Sequence, residues 1–189
     1  MNKNIKLLVL LAAFAVLILA AYVLYNNLGN TVNTDPLTIH VNTDPTNSEQ
    51  QQKMLAPDFT VYDQEGNPVR LHDYFGKPIV LNFWASWCGI CVEEMPNFQE
   101  RYNALGEEIQ FLMVNMTGGQ ETLGSAQSFI AKYGYTFPVL FDTASNAAMI
   151  YGVQYLPTTY FIDAEGYLIA GASGGLDAQT LQRGIDLIK

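Results

Sequence analysis

Two cysteines, two histidines and two tryptophans are scattered through 189 residues, and basic side chains number only nine against eighteen acids. Two cysteines three positions apart, Cys88 and Cys91, do not make a disulfide framework, which needs several cysteines spread through a small domain. A bridge across so short a loop adds little stability. Structural zinc wants four ligands, and His40 and His72 lie far in sequence from the cysteines. Covalent haem attachment requires a histidine directly after the second cysteine, where Val92 stands. From residue 26 onward there are seven basic and eighteen acidic side chains; such a surface repels phosphate backbones, which argues against nucleic acid as a partner. Gly118-Gly119 and Gly174-Gly175 lack the neighbouring Lys-Ser/Thr of a phosphate-binding loop and read as turns. What remains for the cysteine pair is reversible redox chemistry or metal capture.

Charge is also missing from residues 7–25, which follow Lys3 and Lys6. As a helix rising 1.5 Å per residue, that stretch would reach roughly 28 Å, close to the ~30 Å hydrocarbon core of a bilayer. No Lys or Arg follows until Lys53. The positive-inside rule then predicts a cytoplasmic segment 1–6, a transmembrane signal-anchor 7–25, and everything beyond outside the cell membrane. A cleaved signal peptide is the competing reading. No cysteine near the end of the run is available for a lipid anchor. Residues 26–53 are rich in Asn, Thr, Asp, Pro and Gln and include His40; they bury too little to offset ordering entropy and are expected to form a flexible stalk.

The folded domain is expected over 54–189. Short strands at 59–62 and 69–71 around the turn Glu65-Gly66-Asn67-Pro68 predict an N-terminal hairpin. Residues 79–85 are nearly all apolar, as in a central strand buried on both faces. A helix follows from 91 to 105, then a strand at 109–115, a helix at 125–133, a strand at 139–141 and a helix at 144–151. A hairpin at 158–163 and 167–170 precedes a last helix capped by Asp177. Alternation of this kind, closed by a hairpin and helix, defines an α/β fold with a central mixed β-sheet flanked by helices.

Cys88 falls where the central strand gives way to a helix. Unpaired N–H groups and the helix dipole there favour a negative sulfur, which makes Cys88 the candidate nucleophile. Cys91, one helical turn on, is placed to resolve a mixed disulfide. Trp87 offers an apolar surface for a partner chain.

Residues 76–88, Gly-Lys-Pro-Ile-Val-Leu-Asn-Phe-Trp-Ala-Ser-Trp-Cys, followed by Glu94-Met95-Pro96, resemble the thioredoxin superfamily, and within it the membrane-tethered extracytoplasmic branch typified by TlpA and ResA. The resemblance spans about 56–189. It implies the thioredoxin fold and no cofactor beyond the redox-active pair. Leu156-Pro157-Thr158-Thr159 is similar to the family's cis-proline loop, which implies a cis Pro157 and a Leu156 backbone able to pair with a substrate strand. Asn82 stands where cytoplasmic thioredoxins have a buried aspartate. Glu94 matches an acidic residue near the active site of ResA-like proteins, which implies a role in handling the Cys91 proton. The dipeptide Gly89-Ile90 has neither proline nor histidine. With no adjacent cation the thiolate gets little help, which points to a reductant.

The reading is therefore a membrane-anchored thiol-disulfide oxidoreductase reducing disulfides of exported proteins. The resemblance implies a membrane thiol transporter of the CcdA or DsbD type as electron donor. It offers apocytochrome c or a methionine sulfoxide reductase as substrate. Alternatives are the same site run as a thiol oxidase or isomerase, a peroxiredoxin, and a copper chaperone. A peroxidatic site has Pro and Thr or Ser where Leu81 and Ala85 stand.

Overall fold

The structure is a computed structural model. It describes residues 3–29, 36–39, 41–42 and 52–189, so His40 and residues 30–35 and 43–51 of the expected stalk lie outside the described residues. The chain divides into two compact units, Met1–Asp35 and Pro36–Lys189. In the first, helix α1 runs Lys3–Gly29. Side chains at 7–9 and at 25, within the expected span, are outside the described residues. Among the described residues no helix is long and apolar enough to cross a membrane.

The second unit is built on strand β6 (Ile79–Trp84), every residue of which is buried. It pairs in parallel with β7 (Gln110–Asn115) and antiparallel with β9 (Thr158–Ile162). Beyond β7 lies β8 (Val139–Phe141), also parallel; beyond β9 lies β10 (Tyr167–Ser173), antiparallel. The sheet is thus mixed, as the strand and helix alternation requires, and flanked by helices α2 (Gly89–Leu105), α3 (Leu123–Tyr133), α4 (Asn146–Ile150) and α5 (Ala178–Asp186).

Side chains on a strand alternate between faces, and here both faces are apolar. Val80 and Trp84 of β6 join Phe111 and Met113 of β7 in a core with Met95 and Phe98 of α2, Ala126 and Ile130 of α3, and Leu181 and Ile185 of α5. Ile79, Leu81 and Phe83 point the other way and pack with Leu112, Val114 and Ala147. Phe161 of β9 lies so close to α5 that a Cβ on Gly184 would meet its ring at 2.1 Å. Glycine there is a packing requirement.

The expected N-terminal hairpin is present as β4 (Thr60–Tyr62) and β5 (Pro68–Arg70). It adds to the sheet through the single pair Tyr62↔Phe141 on β8. A 3-10 turn over Leu71–Tyr74 follows; Asp58 accepts the backbone N–H of His72 and an N–H of the Arg70 guanidinium. Short strands fall within and at the end of the expected stalk: β1 (Thr38–Ile39) pairs with β10, β2 (Val41–Asn42) pairs with β3 (Gln52–Leu55), and β3 pairs with β10 through Met54 and Leu55. The open edge of β10 offers backbone donors and acceptors to an extended chain whatever its side chains, so hydrophobic patterning gives no sign of these pairings.

Candidate active site

Strand β6 ends at Trp84 and α2 begins at Gly89, two residues before the expected start. Residues 85–88 connect them in a tight turn, closed by the Cys88 N–H donating to the Ala85 carbonyl at 3.2 Å. Cys88 is the N-cap of α2. Its extended backbone (φ −83°, ψ 105°) directs Sγ over the first turn, where it accepts the Cys91 N–H at 3.2 Å. The sulfur thus occupies the place of an N-cap oxygen, among the unpaired donors and at the positive end of the helix dipole.

Cys88 and Cys91 are joined in a disulfide, with their Cα atoms 5.2 Å apart. The two sulfurs are not equivalent. Cys91 is fully buried in the core with Met95 and Trp84, whereas Cys88 keeps a 7% exposed edge. That edge opens into a cleft of about 480 Å³ lined by Trp87, Met116, Val153, Tyr155 and Leu156. Trp87 is 56% exposed and Tyr155 72%, so two aromatic faces flank the approach to the one reachable sulfur. The Leu156–Pro157 peptide is cis. Pro157 is buried, and its carbonyl accepts the Gly174 N–H at 2.8 Å.

Glu94 lies on α2 one turn after Cys91 and is only 3% exposed. Its Oε1 accepts from Asn82 Nδ2 at 2.9 Å, and its Oε2 accepts the Leu176 N–H at 2.8 Å. Asn82 Nδ2 also donates to Thr159 Oγ1 at 3.0 Å, so β6, β9, α2 and the loop before α5 meet at this carboxyl. Burial drives its pKa up to about 7, against the lowering effect of the Leu176 and Asn82 hydrogen bonds. A second cleft, of about 300 Å³, runs past Ile90, Glu93, Asn97 and Leu176 to Glu94. A buried carboxyl able to hold a proton near neutral pH, on the same helix as a buried cysteine, has the chemistry of a proton acceptor.

The six residues singled out in the sequence thus fall on two sides of one disulfide. Trp87, Cys88 and Leu156 line the aromatic cleft, while Pro157, Cys91 and Glu94 are buried. One neighbour that sequence reasoning missed is Glu121, in the loop after β7. Its carboxyl, 2% exposed, accepts the backbone N–H of Ser86 and, at 3.0 Å, the Ser86 hydroxyl. Thirty-five positions separate these partners, and no local pattern marks them.

A CxxC pair capping a helix that follows a doubly buried strand, beside a cis-proline loop, is a thioredoxin-type site. The chain belongs to the AhpC/TSA family, whose match covers residues 53–170. It is 36% identical over 135 residues to the thiol-disulfide oxidoreductase ResA of Geobacillus thermodenitrificans, spanning 71% of this chain and 76% of that one. Among solved structures it is similar to a thiol:disulfide interchange protein DsbE from Chlorobium tepidum, with TM-score 0.60 and 33% identity over 70% of this chain and 94% of that one. It is also similar to the exposed lipoprotein thioredoxin Etrx1 of Streptococcus pneumoniae, with TM-score 0.61 and 33% identity over 69% and 100% of the two chains.

Proposed function

We propose that this protein is a thiol-disulfide oxidoreductase that reduces disulfides in exported proteins through Cys88 and Cys91. The observation that carries the reading is the asymmetry of the pair: one sulfur at a helix N-cap and open to an aromatic cleft, the other buried, one helical turn before a carboxyl whose pKa burial pushes up to about 7. In the reduced protein the Cys88 thiolate attacks one sulfur of the substrate disulfide. A protein–substrate S–S bond forms as the substrate S–S bond breaks, and the departing substrate thiolate takes up a proton. Cys91 then loses its proton to Glu94 and attacks Cys88 Sγ. The Cys88–Cys91 disulfide forms, and the second substrate sulfur leaves and is protonated in turn. Two electrons pass from the cysteine pair to the substrate; one of the two protons comes from Cys91 by way of Glu94, and the other from the solvent that took it up when Cys88 ionised.

Trp87 and the backbone of Leu156, ahead of Pro157, are the surfaces on which the substrate chain rests during the mixed disulfide. Peroxide reduction at Cys88 is the weaker reading, because Leu81 and Ala85 occupy the positions at which a peroxidatic site carries Pro and Thr or Ser.

The catalytic unit, 54–189, is held outside the cell by a membrane anchor at 7–25, with 1–6 in the cytoplasm and 26–53 as the connecting stalk. Supporting this are the uncharged stretch after Lys3 and Lys6, its helical course within α1, and its exposed side chains such as Leu10, Phe14, Leu17 and Leu19. Such a tether raises the effective concentration of the domain at a membrane electron donor, of the CcdA or DsbD type. Apocytochrome c and a methionine sulfoxide reductase are the candidate substrates.

The test is the midpoint potential of the Cys88–Cys91 couple in the full-length protein. A value near or below roughly −250 mV, close to thioredoxin's, supports a reductase. One above roughly −150 mV, towards that of DsbA, makes the same residues a disulfide-forming site instead.

A further inference from the structure

Between the end of β6 and the start of α2, the chain must turn in four residues and deliver Cys88 Sγ to the cleft. Little in the turn itself fixes how it sits. The Cys88 N–H is satisfied internally by the Ala85 carbonyl, but the Ser86 N–H points away from the turn, and it meets the buried carboxyl of Glu121. One oxygen of that carboxyl accepts the Ser86 N–H. The other accepts the Ser86 hydroxyl and the hydroxyl of Ser125. Ser125 is itself fixed at the start of α3, where it exchanges hydrogen bonds with Thr122 in a capping box.

The backbone of Glu121 is held as firmly as its side chain. It exchanges two hydrogen bonds with Gly118, at 2.9 and 3.0 Å, in a tight loop that Gly118 enters with φ +146° and Gly119 continues with φ +58°. Met116, Thr117, Gly118 and Gly119 line the same cleft as Trp87 and Cys88. One buried side chain therefore ties the cysteine turn to another stretch of the cleft lining. No part of the reaction outlined above uses it.

We propose that Glu121 is a positioning residue for disulfide exchange: by gripping Ser86 two residues ahead of the nucleophile, it fixes the aim of Cys88 Sγ and the width of the cleft into which a protein disulfide must fit. The inference rests on Cys88 being the nucleophile. Sulfur attack on a disulfide needs near-linear approach and tolerates little misplacement, whereas a small alkylating agent enters the cleft without having to seat a second protein chain against its walls. Loss of the grip therefore slows the protein reaction and spares the small-molecule one.

The experiment compares the reduced full-length protein with its Glu121→Ala and Glu121→Gln variants. It measures the rate constant for stoichiometric reduction of insulin disulfides, and the rate and site of iodoacetamide alkylation by mass spectrometry. Glutamine can accept the Ser86 N–H with its amide oxygen, while its NH₂ donates to the hydroxyl oxygens of Ser86 and Ser125, so it keeps the grip. Glu121→Ala should reduce insulin at least tenfold more slowly with alkylation of Cys88 within threefold of the unaltered protein, and Glu121→Gln should return to within threefold. An alanine variant that reduces insulin at the unaltered rate, or a folded glutamine variant no better than alanine, overturns the inference. Should Glu121→Ala fail to fold, Ser125→Ala removes one donor from the far side and is expected to slow insulin reduction two- to threefold; an unchanged rate overturns the inference equally. First alkylation at Cys91 in the unaltered protein would instead bring down the nucleophile assignment itself, and this inference with it.

Discussion

Replacing Glu94 by glutamine tests the buried carboxyl directly, and the sign of the effect is fixed by its environment. In the folded protein burial raises this group from the ordinary 4.5 to about 7. Between those two values the folded state holds a proton that the unfolded chain has released, so stability falls as pH rises, by about 1.4 kcal/mol per pH unit. The contribution is fully present below pH 4.5 and lost above 7, a span of roughly 3 kcal/mol. With the side chain almost wholly inaccessible, solvent screening removes little of it. A glutamine at position 94 has nothing to titrate. Its amide oxygen can accept from either Asn82 Nδ2 or the Leu176 N–H but not both, which costs roughly 1–3 kcal/mol at every pH. The variant is therefore expected to be less stable than the unaltered protein near pH 4.5, and to gain on it steadily until about pH 7. Urea denaturation of both oxidised full-length proteins from pH 4.5 to 8.5 measures this. With the cysteines locked in their disulfide, titration of the thiols does not enter the difference. Parallel stability curves, or a gap that widens in the other direction, would refute the reasoning.

Two further outcomes concern the frame around the site. Gly184→Ala drives a methyl group into the Phe161 ring, 2.1–2.5 Å from three of its atoms; overpacking of this kind should destabilise the domain by about 1–3 kcal/mol in chemical denaturation, and an unchanged midpoint would show that α5 can lift off β9 freely. Asp142, 1% exposed, accepts the N–H groups of Asn146 at 2.7 Å and Ala148 at 2.9 Å. Asp142→Ala leaves both without their partner and should lower stability by about 2 kcal/mol, whereas a loss under 0.5 kcal/mol would mean that α4 does not depend on this acceptor.

The residues that do the proposed chemistry were legible because they are adjacent in sequence and marked by a change of period. The short, nearly all-apolar run at Ile79–Trp84 reads as an inner strand, and the cysteine pair after it meets the start of a helix. The hairpin around Gly66 and the Asp177 cap were legible for the same local reason. Glu94 was readable as a residue one turn from Cys91, but its burial was not. The carboxyl is enclosed by Leu176, eighty-two positions away, and by Asn82 on the neighbouring strand. The sequence puts the start of α2 at Cys91, whereas the helix begins at Gly89 because the sulfur of Cys88 does the work of a capping oxygen. Joining the hairpin to β8 through one residue pair, and the short strands along β10, depends on backbone edges left open by the rest of the sheet. Backbone edges leave no trace in a pattern of side chains.

Two acids flank the cysteines, and their surroundings divide the labour between them. Glu121 meets three donors, enough to occupy both oxygens and hold a turn in place. Glu94 meets two, and burial outweighs them. A carboxyl saturated with donors suits fixed geometry. One starved of them is held near neutrality and can give up or take a proton in the pH range where thiols exchange. Both are buried to the same degree, so the difference between the two is a matter of hydrogen-bond count, not of residue type. Adding a donor beside Glu94, or removing one from Glu121, should therefore exchange part of one role for the other, lowering the Glu94 pKa in the first case and loosening the aim of Cys88 in the second.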